Sequence, residues 1–480
     1  MARFFEDMAV LPHMVQRNWW LLLPIAAAVA WAHAQGFAGL YGQDPHDYLH
    51  RAEAWYAWLH GEGRPAHSPH PQLYPLLGAL VGVIGGPWSG LRLVSIGAYL
   101  GVVHIVRLEV DRRSSDRGAN NAFVLLAVAA SPFMLRHALF VMSDMLCLLF
   151  VMIAYRQAVL FRADGKGHRT MITALCAGAA LATRFAAAPP FLAIGVHILR
   201  TIIHQRAWKA ALAGLFGKGL LAVLVLVLLG RSETPFWHHP WLTGWSPMNF
   251  FRHAFQTVDG AGHYPLPNIL HALSSVVHPG FLPLGCALVF LFRRSDLQEH
   301  ATALAVGMFL LDAFFLAGVP FQNDRFLLLT QPLVALALFP AFLRLWSRWP
   351  FSSGPRVGLV AAIALMQVLL FGINLRAFVR MTREERALAA VVSLHPERPL
   401  YQFSMAPALR TYGVRGELID LWSTDVAQYP AGSLLLFNAP AFEHQWQGMR
   451  VMRNWERAKS QRPTLIATAD EGWALYRFDR

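Results

Sequence analysis

The stretch Gly42-Gln43-Asp44-Pro45-His46-Asp47-Tyr48, running on to His70-Pro71-Gln72-Leu73-Tyr74-Pro75, interrupts two long apolar runs. It carries two carboxylates within four positions, Asp44 and Asp47, and several histidines, and returns to hydrophobic sequence through a pair of prolines. Residues 19–36 before it and 73–106 after it are nearly free of charge. A polar loop at 37–72 between such runs is what a membrane protein exposes outside the bilayer, where water can satisfy irregular backbone. If the flanking runs cross a membrane, this loop is the first place to look for chemistry.

Composition supports that condition. The 480 residues are 55% hydrophobic and 14% charged, and mean hydropathy is +0.38. Soluble domains carry about 25% charged residues, so this chain lacks the polar surface to coat itself in water. Further apolar runs lie at 119–134, 139–161, 171–199, 210–230, 269–292, 301–319, 326–345 and 357–375, near the roughly 20 residues that span a bilayer. They are continuous rather than alternating, which argues against a β-barrel. The expectation is an all-α polytopic membrane protein with about 11 transmembrane helices. Residues 73–106, broken at Gly85-Gly86-Pro87, read either as one crossing plus an interfacial helix or as a tight helical hairpin. The run 171–199 accommodates two short helices bent at Thr183-Arg184 and Pro189-Pro190.

The net charge of +13 sits largely in short loops between the runs. Positive-inside bias and anionic lipid account for it there, so nucleic acid is not the implied partner. The basic loops at 107–117, 162–169, 200–209, 293–294 and 344–356 then belong to the cytoplasm, with the N-terminus. Loops 37–72, 231–268 and 320–325 fall on the outer, periplasmic face of an inner (cytoplasmic) membrane. Arg3 and Arg17 precede the run from Trp19 without a clean cleavage pattern, which reads as an uncleaved first helix. Cys147, Cys176 and Cys286 lie inside apolar runs with no C-x-x-C spacing, and read as packed thiols rather than a disulfide or metal framework.

From Arg376 onward the composition becomes that of a soluble protein. Residues 1–380 are therefore expected to form the transmembrane module, and 381–480 a small C-terminal α/β domain on the outer face. Strand-like runs at 399–403, 432–437, 463–468 and 472–478 alternate with helical ones at 406–412 and 446–460. Neither a G-x-G-x-x-G nor a G-x-x-x-x-G-K-S loop occurs, so an ATP-driven engine finds no support. No internal repeat of the transporter kind is evident.

Four constellations carry chemistry. A carboxylate such as Asp44 at a membrane surface can take a proton from a hydroxyl or amine, or ligate a divalent cation; acids in an exposed loop are also ordinary. Tyr48 and Arg51 follow on a predicted helix whose Trp55, Tyr56 and Trp58 form an interfacial face. The second is Ser131-Pro132-Phe133 through Arg136 to Ser143-Asp144, where an acid opening a membrane helix is functional, paired or an N-cap. The third, Thr183-Arg184, needs an anion or a carboxylate partner at its depth. The fourth, Gln322-Asn323-Asp324-Arg325-Phe326, offers a guanidinium suited to bidentate phosphate recognition, or an interfacial anchor. The loop bearing Phe236-Trp237-His238-His239, Arg252, His253, Asp259 and His263 lacks the i, i+4 histidine spacing of a helical metal site and reads as solvated.

The order of apolar span, outer loop with Asp then Tyr four residues on, and Pro-x-Leu-Tyr return resembles the GT-C class. These are polytopic glycosyltransferases that use polyprenyl-phosphate sugar donors, among them the aminoarabinose and protein O-mannosyl transferase families. Their loop reads Asp-Glu-x-x-Tyr, and their return Lys-Pro-Pro-Leu-Tyr or His-Pro-Pro-Leu. Asp44 and Tyr48 match the loop, with Pro45 in place of the Glu. His70-Pro71 and Leu73-Tyr74 match the return, with Gln72 in place of the second Pro. The resemblance implies Asp44 as catalytic base, with Asp144 standing opposite it as the second catalytic carboxylate. It implies Arg184 and Arg325 at the lipid phosphate, and Asp47, Tyr48, Arg51, His70, Tyr74 and Asp324 among the substrate-binding residues. The implied partners are a polyprenyl-phosphate sugar and a lipid, glycan or protein acceptor. No metal ligands are assigned, and a divalent cation stays open. The rival reading is a transporter or flippase for lipid-linked saccharide, gripping phosphate with the same arginines. A non-catalytic membrane assembly protein is the third.

Overall fold

The computed structural model describes residues 19–63, 65, 71–205, 208, 240–257, 260–278, 284–349, 353–395 and 398–479. His70, Asp259, Phe236-Trp237-His238-His239 and the expected span 210–230 lie outside the described residues. Helices dominate, and proline sets where several begin, because a first-turn N–H has no intrahelical partner to lose. Pro24 opens α1 (Leu23–Ala34) and Pro45 opens α2 (Asp44–Leu59). The expected outer loop at 37–72 thus contains a helix, with Asp44 as its first residue. Next come α3 (Leu73–Val81) and α4 (Pro87–Arg113). They are joined at Gly86, whose φ of +83° is open to glycine at little steric cost.

The lengths of α3 and α4 fit the reading of residues 73–106 as one crossing plus a short helix. At 1.5 Å per residue the nine residues of α3 reach only about 14 Å, under half of a bilayer core, so α4 alone has the length to cross. Small residues bring the two helices together. A Cβ at Gly90 would strike the Gly78 carbonyl, and would stand 2.6 Å from the Gly82 nitrogen.

Beyond α4, the run expected as one helix at 119–134 is broken. Asp116 caps α5 (Arg117–Val124), a π-helical turn follows at Leu125–Ala129, and the chain bends by 54° into α6 (Pro132–Leu139). Pro132 cannot supply the next helical N–H, and the Ser131 hydroxyl accepts the Met134 N–H instead (3.4 Å). Then follow α7 (Asp144–Asp164), α8 (Gly167–Leu181) and α9 (Ala188–Gln205). The break between α8 and α9 falls at Thr183-Arg184 as expected. Pro189-Pro190 instead sits in the first turn of α9, where proline bends nothing. A short hairpin of β1 (Ala254–Thr257) and β2 (Gly260–His263) precedes the two short helices Asn268–Leu273 and Gly285–Leu291. The bundle closes with α10 (His300–Gly318), α11 (Gln331–Ser347) and the long α12 (Ser353–Val392).

Among the described residues, five helices are long and apolar enough to cross a membrane, or six if the bent pair around Ser131 is one span. That count covers the described residues alone, which leave out the expected span 210–230, and within them some apolar runs are divided. Residues 119–134 bend, 269–292 yield two short helices, and 326–345 begin as a 3-10 turn at Asp324–Leu329.

The C-terminal part is a five-stranded sheet in the order β4-β3-β5-β7-β6. Its elements are β3 (Leu400–Gln402), α13 (Ala406–Thr411), β4 (Leu418–Asp420), β5 (Leu434–Phe437), α14 (Ala439–Trp446), α15 (Arg450–Ser460), β6 (Thr464–Thr468) and β7 (Ala474–Arg477). Strand β3 pairs parallel with both β4 and β5, while β7 is antiparallel to β5 and β6. Side chains alternate across a strand. Leu435 and Phe437 therefore pack with Trp455 of α15 on one face, and Leu434 and Leu436 pack with Leu388, Ala389 and Val392 of α12 on the other. The boundary expected at 380/381 lies inside α12. The composition changes there because the helix leaves the apolar region, while the helix itself continues and becomes a layer of the sheet's core.

Gly90→Ala should lower the thermal midpoint of the detergent-solubilised protein, with an overpacking cost of about 1–3 kcal/mol. Gly97→Ala on the same helix, whose Cβ meets nothing within 4 Å, should hold or raise the midpoint. Equal midpoints for the two variants would contradict the close approach of α3 and α4.

Candidate active site

A cavity of about 610 Å³ opens between the helix bundle and the C-terminal sheet, with Asp44, Arg325, Glu384, Ser404 and Asn438 among its walls. The chain reaches it through a turn fixed at several points. Gly39, at φ +81°, lies so close to the Leu139 carbonyl that a Cβ would collide, and its own carbonyl accepts the Val141 N–H (3.0 Å). Thr382 of α12 donates its hydroxyl to the Leu40 carbonyl (2.6 Å). Gly42, at φ +62°, donates its N–H to Glu385 Oε1 (2.6 Å). The next turn is α2, with Asp44 at its start.

Four charges converge there. Arg325 Nη1 donates to Asp44 Oδ2 (2.5 Å), and its Nε lies 3.9 Å from Asp144 Oδ1. Arg184, in the break between α8 and α9, pairs with the same Asp144 oxygen. The structure thus brings Asp44, Asp144, Arg184 and Arg325 into one chain of alternating charge. Burial separates the two carboxylates. The Asp144 side chain is 4% exposed, and Asp44 is 39% exposed at the cavity wall. A buried carboxylate is tolerated only with paired charge, and two guanidiniums supply it.

The remaining expected residues divide. Tyr48, one turn beyond Asp44, is buried, with its hydroxyl 2.8 Å from Ser143 Oγ next to Asp144. Tyr74 is fully buried and donates to the Leu91 carbonyl (3.1 Å), with Ser95 Oγ at 2.8 Å, so it ties the α3–α4 hairpin. Asp47 and Arg51 pair with each other along α2 (2.6 Å). Asp324 is exposed, in the field of Arg136, His271 and His278. Tyr74, Asp47, Arg51 and Asp324 are not among the cavity's lining residues.

Glu385 and His46 are functional candidates the sequence reading passed over. His46 Nε2 lies 3.2 Å from Glu385 Oε2, and its Nδ1 lies 2.9 Å from Thr411 Oγ1 of α13. His50 Nε2 reaches the same hydroxyl at 3.0 Å. Burial, and then neighbouring His46, holds His50 below the usual imidazole range. The signal available was Thr382-Arg383-Glu384-Glu385-Arg386, a polar run late in an otherwise apolar helix.

Among the described residues, no group of three or more His, Cys, Asp or Glu side chains gathers to hold a metal. Asp44 and Asp144 each face a guanidinium.

No family model matches the chain, and no curated protein does. Solved structures do match. They share the fold that the sequence resemblance implied, and the apolar helices are those of a multi-pass membrane protein. The similar structures include ArnT from Cupriavidus metallidurans in the apo state, at TM-score 0.61 and 15% identity, covering 96% of this chain and 98% of that one. ArnT from the same organism bound to undecaprenyl phosphate matches at TM-score 0.60 and 14% identity, with coverage of 96% and 98%. The Archaeoglobus fulgidus oligosaccharyltransferase in the apo form matches at 0.46 and 13%, covering 85% of this chain and 65% of its own.

Removing Asp144 should expose the difference between the two kinds of pair. Asp144→Ala strands Arg184 in a buried setting and should cost about 3–5 kcal/mol in thermal or denaturant unfolding. Asp47→Ala, which breaks a part-exposed i, i+4 pair, should cost no more than about 0.5 kcal/mol.

Proposed function

We propose that this chain is a glycosyltransferase that moves a glycosyl group from a polyprenyl-phosphate-linked donor to a lipid, glycan or protein acceptor. The reaction takes place at the outer face of the cytoplasmic membrane. In this reading the N-terminus is cytoplasmic, the sheet domain is periplasmic, and the complete chain crosses about 11 times. The observation that carries it is the Asp44–Arg325–Asp144–Arg184 cluster, with only its Asp44 end well open to the cavity. Further support comes from the fold, shared with a protein that binds undecaprenyl phosphate.

The chemistry follows from that arrangement. Asp44 is the base: it accepts the proton of an acceptor hydroxyl or amine as that atom attacks the anomeric carbon. The anomeric carbon–oxygen bond breaks, and its electron pair leaves with the polyprenyl phosphate. Arg325 pairs with Asp44 before reaction. It has donors enough to hold Asp44 and a phosphate together, so it stabilises the charge that grows on the leaving group. Asp144 is too buried to meet substrate and acts as a positioning residue, aiming Arg184 and Arg325. Lipid phosphate is a good leaving group, which removes the need for a nucleotide site.

The transporter reading would be favoured by charges strung along a path through the bundle. Asp312, buried within α10, is one such group, but the cluster described here gathers at one end, around the cavity.

A transfer assay in detergent with polyprenyl-phosphate sugars tests the proposal. Asp44→Asn should lower the transfer rate about a hundredfold or more. Arg325→Lys, which loses the planar fork, should fall by at least about tenfold. Wild-type rates from Asp44→Asn would rule out Asp44 as base. Movement of intact donor across vesicles, with no transfer, would favour the transporter.

A further inference from the structure

The carboxyl ends of the parallel strands β3, β4 and β5 carry a second site, beside Asp44. Ser404 follows β3, Asp420 ends β4 with Trp422 just beyond, and Asn438 follows β5. The crevice beyond the carboxyl ends of parallel strands is where open α/β sheets bind ligands. A cavity of about 320 Å³ occupies this edge, lined by Gln43, Ser404, Asp420, Trp422, Gln445 and Trp446. It shares Gln43 and Ser404 with the Asp44 cavity, so a ligand seated in one reaches towards the other.

The edge is preorganised. Arg450 donates to the carbonyls of Trp422 (3.1 Å) and Ser423 (2.8 Å), clamping the loop after β4. Asp420 Oδ1 accepts the Trp422 N–H (3.2 Å). Ser404 holds φ at +65°, a left-handed conformation uncommon for serine, because Gln402 Oε1 accepts the N–H groups of both Met405 (2.7 Å) and Ala406 (2.9 Å). Glu471, another non-glycine residue at positive φ, lines the neighbouring cavity. Strain held in place by surrounding bonds concentrates at ligand clamps.

The lining also selects a ligand. Trp422 is 37% exposed, edge-on to Trp446 (centroids 5.1 Å apart) and parallel to Phe403 (6.1 Å, 4°). That makes a fixed aromatic platform with a carboxylate, an amide and a hydroxyl at its rim. A pyranose has a flat C–H face for such a platform and hydroxyls for the rim. An anionic group would meet Asp420, and a lipid tail would set hydrocarbon against a polar rim.

We propose that this pocket is the acceptor subsite and that the acceptor is a saccharide, which delivers a sugar hydroxyl to Asp44. This rests on the transferase reading above. The hydroxyl oxygen bonds to the donor's anomeric carbon as the bond from that carbon to the phosphate oxygen breaks. The electron pair leaves with the polyprenyl phosphate, and the proton passes to Asp44.

The test uses the full-length protein in detergent, a set of radiolabelled polyprenyl-phosphate sugars, and a total cell-envelope extract as acceptor. Products are fractionated after protease digestion and after delipidation. The label should appear in a protease-resistant, water-soluble saccharide larger than a monosaccharide. Trp422→Ala should raise the half-saturating extract concentration about tenfold, the scale of one lost aromatic contact, with donor KM unchanged. Asp420→Asn, nearly isosteric, should move it in the same direction with an unaltered thermal midpoint. Label that follows protein, or stays wholly in the lipid phase after delipidation, overturns the saccharide acceptor. So does wild-type half-saturation in both variants. Failure of wild-type protein to consume any donor would instead overturn the transferase reading itself, so the two failures are distinguishable.

Discussion

Asp144 opens a membrane helix at 4% exposure, and a charge there must be matched or expelled. Its match is Arg184, from the break between α8 and α9, with Arg325 in reach from the turn before α11. Three elements far apart in sequence are held to one another by that requirement. The second carboxylate, Asp44, joins through Arg325 and stays accessible. The pairing therefore does two things at once. It closes the bundle at one end, and of its own two carboxylates it leaves Asp44 presented to the cavity, with a guanidinium already beside it.

The other constraint is α12, a rigid element shared between the bundle and the sheet. Its apolar length belongs to the membrane region, its last turns supply Leu388, Ala389 and Val392 to the sheet core, and Glu385 between them reaches back to Gly42 and His46. The Asp44 turn, the long helix and α13 are thereby one hydrogen-bonded unit. The cavity walls from the sheet cannot shift without moving the residues that hold the Asp44 turn.

Much of the site was legible in the chain. Asp44, Asp144, Arg184 and Arg325 are charges at the edges of apolar runs, where their cost makes them visible. Glu385 was not legible, because an acid beyond the last apolar stretch looks like any solvated residue. Its burial arises only when α2 and α13 pack over it. Tyr74 and Asp47 stand near the motif in sequence yet serve the hairpin and the helix surface, since proximity along the chain says little about which way a helical side chain points. How the apolar runs divide was hidden for a related reason. Hydropathy records that residues 119–134 are apolar, whereas Pro132 decides that they fold as a bent pair.

By itself the sequence determined that the protein lives in a membrane, that its helices begin at proline and cap residues, and that a sheet follows them. These are local matters, set by hydropathy, backbone chemistry and period. Only the tertiary structure decided which charges pair, that α12 continues into the sheet, and that the carboxyl edge of β3, β4 and β5 stands against Gln43 and Asp44. Pairing and juxtaposition depend on distances between residues far apart in the chain, such as Asp44 and Arg325 (a separation of 281) or His46 and Thr411 (365). No local pattern records a distance of that kind.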